Sequence, residues 1–146
     1  MTSPRLLVSY FITRFSNNAS FNDATFVLSY IDKIKNSPLP DPTISVGVKS
    51  FSDKRVNPVY DGNDTLLYNR IVETRISFNI YVPTKSNGLI ALDIFNRISN
   101  YLMEQEENYD VKGVGCGEIV YMRDESALLL ETWVDIERLI IEETTA

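Results

Sequence analysis

Any chemistry in this chain would have to come from carboxylates, tyrosines or a single thiol. Adjacent acidic pairs occur at Glu106-Glu107, Asp124-Glu125 and Glu142-Glu143. Acid–base catalysis by paired carboxylates needs two groups that converge in a cleft with separated pKa values. Each of these pairs lies in a polar stretch and reads as solvated loop or terminal charge. The only cysteine, Cys116, sits in the run Gly113-Val114-Gly115-Cys116-Gly117 with no cysteine or histidine beside it. It has no partner for an internal disulfide and reads as a small buried hydrophobe rather than a reactive thiol. The same glycines resemble a phosphate loop only in composition, because no Gly-Lys-Ser/Thr follows and the helix that such a loop must open is missing. Strand irregularity or a bulge is the expected reading. The chain contains no histidine, which removes Ser-His-Asp and Cys-His catalysis, histidine metal sites and imidazole acid–base chemistry. The expectation is a non-enzymatic protein with no cofactor and no metal.

What remains is a scaffold, and its clearest element is a strand. From Val72 the side chains Val72, Thr74, Ile76, Phe78, Ile80 and Val82 alternate with Glu73, Arg75, Ser77, Asn79 and Tyr81. That period of two marks one buried and one polar face. Pro83 cannot donate to a ladder and ends the pattern. Beyond it, Ser86-Asn87-Gly88 can start a helix with Leu89, Leu92, Phe95, Ile98 and Leu102, flanked by Ile94 and Met103, as a broad apolar stripe. Upstream, Thr43 to Phe51 alternates through Ile44, Val46 and Val48 and predicts another strand. Between the two strands lies a polar excursion, Ser52 to Leu67, whose Asp61-Gly62 and Asn63-Asp64 are turn residues. A hairpin needs only two to five connecting residues, so the extra length is a candidate contact surface.

At the N-terminal end, Ser3-Pro4 offers a cap and a first helical residue, and Leu7, Tyr10, Phe11, Arg14 and Phe15 predict a helix from about Pro4 to Phe15. Ser16 to Ser20 reads as a loop. Ala24 to Lys35 fits either a short amphipathic helix or a strand through Phe26, Leu28 and Tyr30 with a helical turn at Asp32 to Lys35; the strand is the preferred reading. Ser37-Pro38-Leu39-Pro40-Asp41-Pro42 is a stiff lead-in to the next strand. Glu104 to Asp110 is an acidic connection, Val111 to Met122 a glycine-interrupted strand, and Leu128, Leu130, Thr132, Val134 and Ile136 mark a last strand. The sum is one α+β domain over residues 1–146, a four- to five-stranded antiparallel or mixed sheet with both helices on one face and a long hairpin excursion. Tyr81 and Trp133, among charges on the other face, are candidate interface anchors. Leu139-Ile140-Ile141, just before Glu142-Glu143, suggests docking on the domain or on another copy.

The 146 residues, 44% of them hydrophobic, suit one compact domain that buries roughly two-thirds of its unfolded surface. No apolar run approaches the ~20 residues of a membrane span, and no export signal is recognisable. Net charge is -6, but it is unevenly placed. Residues 1–87 hold ten Lys/Arg against seven Asp/Glu, a balance of +3, and residues 88–146 hold four against thirteen, a balance of -9. Such asymmetry favours head-to-tail contact between copies. Nucleic-acid binding is disfavoured by the acidic total and by the lack of a basic cluster interleaved with aromatics.

Taken together, Pro42-Thr43-Ile44-Ser45-Val46-Gly47-Val48-Lys49, the Val59-Tyr60-Asp61-Gly62 loop, Ser77-Phe78-Asn79-Ile80-Tyr81-Val82-Pro83 and Cys116-Gly117-Glu118-Ile119 resemble small tail proteins of long-tailed phages. The resemblance spans roughly residues 40 to 136 and is nearest to the tail terminator or tail completion (collar) group of contractile phages and phage-tail-like bacteriocins. It implies an α+β subunit that forms a six-membered ring on the end of the tail tube, stops tube growth and secures the sheath end. Its partners would be further copies of itself and the tube and sheath proteins, with no nucleic-acid or membrane contact required. Its place would be the virion or tail-like particle, assembled in the bacterial cytoplasm. No family catalytic residue exists to carry over. The interface residues expected are Arg55, Tyr60, Asp61 and Asn63 of the excursion, with Tyr81, Trp133, Leu139 and Ile140. The competing readings are a head-tail connector or baseplate subunit of the same particle, and a small-molecule-binding regulatory α+β module.

Overall fold

The computed structural model describes residues 4–28, 41–56, 59–60, 65–85, 88–104, 109–123 and 127–145. Helix α1 (Pro4–Ser16) begins on proline, whose missing N–H costs nothing in a first turn. Its Leu7, Phe11 and Phe15 recur every four residues and are buried with Val8. A short 3-10 turn, Ala19–Phe21, follows, capped by the Asn18 side chain, which accepts from the Ser20 N–H at 2.9 Å. Strand β1 (Thr25–Leu28) comes next. The strand reading of Ala24 to Lys35 therefore holds for Thr25–Leu28, while the turn expected at residues 32–35 and the Pro-rich lead-in at 37–40 lie outside the described residues.

The sheet is mixed and runs β1-β2-β4-β6-β5, built from β2 (Thr43–Arg55), β4 (Thr65–Pro83), β5 (Asp110–Met122) and β6 (Ala127–Thr145). A two-residue strand, β3 (Val59–Tyr60), pairs on β4. Among the described residues, only β1 and β2 pair in parallel. Alternation sorts the sheet into two faces. On one, Ile44 and Val46 of β2, Ile76, Phe78, Ile80 and Val82 of β4, and Leu130, Val134 and Ile136 of β6 are buried under α1 and α2 (Leu89–Glu104). Phe15 centres an aromatic cluster there, stacked on Phe26 at 5.1 Å and edge-on to Phe21 at 5.0 Å and Phe78 at 5.8 Å. The expected α+β architecture, with helices on one face, is the observed one.

Three local expectations need correction. The excursion Ser52 to Leu67 is largely strand: β2 continues to Arg55, β3 turns back on Leu66 and Leu67, and β4 starts at Thr65. The cause is non-local, because β6 runs on past Ile136 to Thr145 and pairs with β4 as far as Thr65, adding a third strand to the arm. Leu139 and Ile140 sit inside this strand, paired with Ile71 and Arg70 of β4. Cys116 is exposed, not buried, since β5 has a neighbour on one side only. In α2 the buried stripe is Ala91, Ile94, Ile98 and Leu102, whereas Leu89, Leu92 and Met103 face outward. The glycine-rich β5 does carry irregularities, with register shifts at Val111/Gly113 and at Cys116/Ile119.

Candidate functional site

Four surfaces are built by this frame: an open sheet face, an arm and two rims. The open face lies opposite the helices. On β4 it presents Glu73, Arg75, Ser77, Asn79 and Tyr81, and on β6 Glu131, Trp133 and Asp135, as their pairing registers require. Trp133 lies flat against the Gly115 position of β5, where an added Cβ would come within 2.6 Å of its ring. No side chain but hydrogen fits there. The Lys49 ammonium is 4.9 Å and the Arg75 guanidinium 5.4 Å from the ring centroid, so the indole is held between glycine backbone and two cations. Arg75 donates to both Asp135 oxygens, at 2.7 and 2.9 Å, and this pairing pushes the Arg75 pKa up. Beside the pair lies a groove of about 430 Å³ that includes Ser50, Ser52, Glu73, Lys112 and Glu137 in its lining.

The arm is the part of β2, β4 and β6 that extends past the helices. Arg55, Arg70 and Ile140 form one cross-strand row, and Lys54, Ile71 and Leu139 the next. Asp53 accepts from Arg70 across the arm, and that hydrogen bond holds its carboxyl below the ordinary value. Tyr60 is placed by its backbone opposite Leu66. Asp61 and Asn63 lie outside the described residues.

The expected interface residues therefore fall into two groups. Tyr81 and Trp133 share the open face, four positions apart along the strand pair, roughly 13 Å. Arg55, Leu139 and Ile140 share the arm, roughly 23 Å from the Trp133 row at the same rise per residue. The rims are the outer edges of the sheet. Edge strand β5 exposes Val114, Ile119, Val120 and Tyr121. Four successive apolar residues, Ile119-Val120-Tyr121-Met122, were the sequence signal, because a strand with one wet face alternates instead.

The helices are braced to each other, away from these surfaces. Arg14 donates to the Tyr101 hydroxyl at 2.6 Å and to the Tyr10 hydroxyl at 2.8 Å. Arg97 donates to the Ser20 carbonyl at 2.6 Å and to both Asp23 oxygens, which lowers the Asp23 pKa. A wide hollow beside α1, lined by Leu6, Ser9, Thr13 and Asn17, opens to solvent.

Of the acidic pairs, Glu106-Glu107 and Asp124-Glu125 lie outside the described residues. Among the described residues no group of three or more Asp, Glu or Cys gathers that could hold a metal ion, and no helix is long and apolar enough to cross a membrane. The arrangement is suited to surface contact: an aromatic anchor held between glycine backbone and two cations, a stiff three-stranded arm, and open strand edges. No protein-family model matches the chain, and no curated protein does either.

Proposed function

We propose that this chain is a structural assembly subunit that forms a ring, hexameric by the resemblance stated above, on the end of a phage-type tail tube and stops its polymerisation. The observation that carries the reading is the arm. Three strands run on beyond the helical layer, over β4 residues Thr65 to about Thr74, a reach of roughly 30 Å at the usual strand rise. Past its root at Val72, Thr74 and Ile136, which are buried, the extension adds no residue to the main core cluster, whose members on β4 start at Ile76. Its charged residues, among them Asp53, Lys54, Arg55, Arg70 and Glu73, keep it soluble, and its paired strands keep it stiff until a partner covers it. Tube and sheath subunits are the partners that the reading assigns to it, and no catalytic role is assigned.

The test is to shorten the arm without disturbing the body. Asp53, Lys54 and Arg55 are paired with Val72, Ile71 and Arg70, so the cut belongs beyond them. Replacing residues 56–69 by Asn-Gly closes a two-residue hairpin at the Arg55–Arg70 pair. The variant loses the strand partners of Ile141–Thr145 with part of its strand signal, and is expected to keep a cooperative melt of the body, yet to leave tubes growing past normal length. Tubes of normal length with this variant would overturn the proposal.

A further inference from the structure

Strand β5 is an outer strand of the sheet and, among the described residues, pairs with β6 alone. We propose that two copies of the chain pair their β5 edges antiparallel about a two-fold axis at Val120, so that the two sheets run on as one. A two-fold contact closes on itself and cannot by itself build a ring of six, so this pairing is a second contact between copies and does not rest on the ring reading.

Free edges are normally blunted by charge, bulges or brevity. On the opposite rim β1 is four residues long, and Leu28 is its one exposed large apolar residue. The outer side of β2 past Val46 is broken by the register shift after Val48 and carries Lys49, Asp53, Lys54 and Arg55. β6 past Glu137 belongs to the arm and opens on Arg138. β5 is irregular as far as Glu118, and then runs regularly from Ile119 to Met122, paired with Leu130 to Ala127. Those four residues include no charge, proline or glycine. Ile119 is 37%, Val120 50% and Tyr121 58% exposed. A regular, apolar and unguarded edge is a site for strand addition.

The segment is complementary to itself. A two-fold axis normal to the sheet keeps each face on its own side, so helix-side residues meet helix-side residues. Ile119 and Tyr121 stand on the helix side, opposite Leu130 and Leu128, and an added Cβ at Gly88, just ahead of α2, would come within 3.2 Å of Ile119. Val120 stands on the open side, opposite Leu129. With the axis at Val120, Ile119 of each copy faces Tyr121 of the other and Val120 faces Val120. Aromatic and β-branched residues make favourable cross-strand pairs. An axis at Ile119 would set Val120 against Glu118, and an axis at Tyr121 would set Ile119 against Arg123, so Val120 is the register that pairs apolar with apolar. The charges flanking the segment are of both signs, Glu118 before it and Arg123 after it, and antiparallel pairing brings unlike ends together. Lys112, held by Glu137 at 3.7 Å, lies outside the segment. Six facing apolar side chains make a small contact, below the ~1,200 Å² of stable interfaces, so the dimer is weak and forms with concentration.

The test uses full-length chains in which Cys116, exposed on the same strand, is replaced by serine. In Val120→Cys/Cys116→Ser the two thiols belong to directly opposed residues, with Cα atoms about 4.5–5.5 Å apart, a span that a disulfide bridges. Mild oxidation followed by a non-reducing denaturing gel should give a dimer, while Ser50→Cys/Cys116→Ser, with its thiol on the exposed β2 rim, should stay monomeric. A dimer yield at position 120 no greater than at position 50 would overturn the pairing. Val120→Lys and Val120→Glu each set like charges against one another and should associate more weakly than the parent in sedimentation equilibrium, and their one-to-one mixture should recover the association. A mixture no more associated than either variant alone would overturn the two-fold register.

Discussion

Gly115→Ala isolates the contact that organises the open face. An alanine Cβ at this position would stand 2.6 to 2.8 Å from three atoms of the Trp133 indole, where ordinary contact is 3.4 to 4 Å. The ring must therefore retreat by about 1 Å. It cannot slide within the face, because Arg75 is fixed by two hydrogen bonds to Asp135 and Lys49 sits on the ring, so it tips toward solvent. Loosening two cation–π contacts at an exposed site costs about 0.5–1 kcal/mol each. Alanine recovers about 0.4–1 kcal/mol by restricting the unfolded chain. Gly113→Ala supplies the reference for that backbone gain, since an added Cβ there meets nothing within 4 Å. Urea unfolding followed by circular dichroism should place Gly115→Ala about 1–2 kcal/mol below Gly113→Ala. Trp133 is the only tryptophan, so its emission should shift to the red in Gly115→Ala alone. Equal stabilities and unchanged emission in the two variants would refute the stacked geometry.

Phe15→Ala removes the ring at the centre of the aromatic cluster and should cost about 3–5 kcal/mol in a denaturant titration; a loss below about 1 kcal/mol would show that the cluster does not anchor α1. Asp23 and Asp53 have folded pKa values below the ordinary 3.8 because Arg97 and Arg70 donate to them. Their contribution is complete above the unfolded value and is lost as pH falls through the folded values. Stability should thus stay level on these groups' account down to about pH 4 and fall below it, with a shallower fall in Asp23→Asn; the pH dependence of the urea midpoint checks this. Arg97→Ala should cost about 1 kcal/mol, screened by its exposure, and should speed amide exchange in the Ala19–Phe21 turn that it ties to α2.

The two-residue period from Val72 to Val82 and the helical stripe after Pro83 were legible because each buries one face against its immediate surroundings. The open face was legible for the same reason, and Trp133 and Tyr81 lie on it as the alternation requires. The arm was not, because its strands are defined by β6, some seventy residues away in sequence from β4, and residues such as Asp53, Lys54 and Arg55 carry no strand propensity of their own. Cys116 misled because burial of a small apolar residue depends on having strands on both sides, and an edge position is a property of sheet order rather than of local sequence. Leu89, Leu92 and Met103 misled because a stripe wider than the covered face leaves its flanks exposed. The two rims needed the sheet order too, because which strands lie at the edges is set by pairing across the chain.

The central claim is that copies of this chain close a ring on a tube end. Its most direct measurement is electron microscopy of tail tubes assembled with the full-length chain, with sedimentation of the chain alone over a range of concentrations. The account predicts tubes of uniform length with one ringed end, and ring-sized species that form with concentration or on tubes. Monomers or dimers that persist beside uncapped tubes of unrestricted length would contradict it.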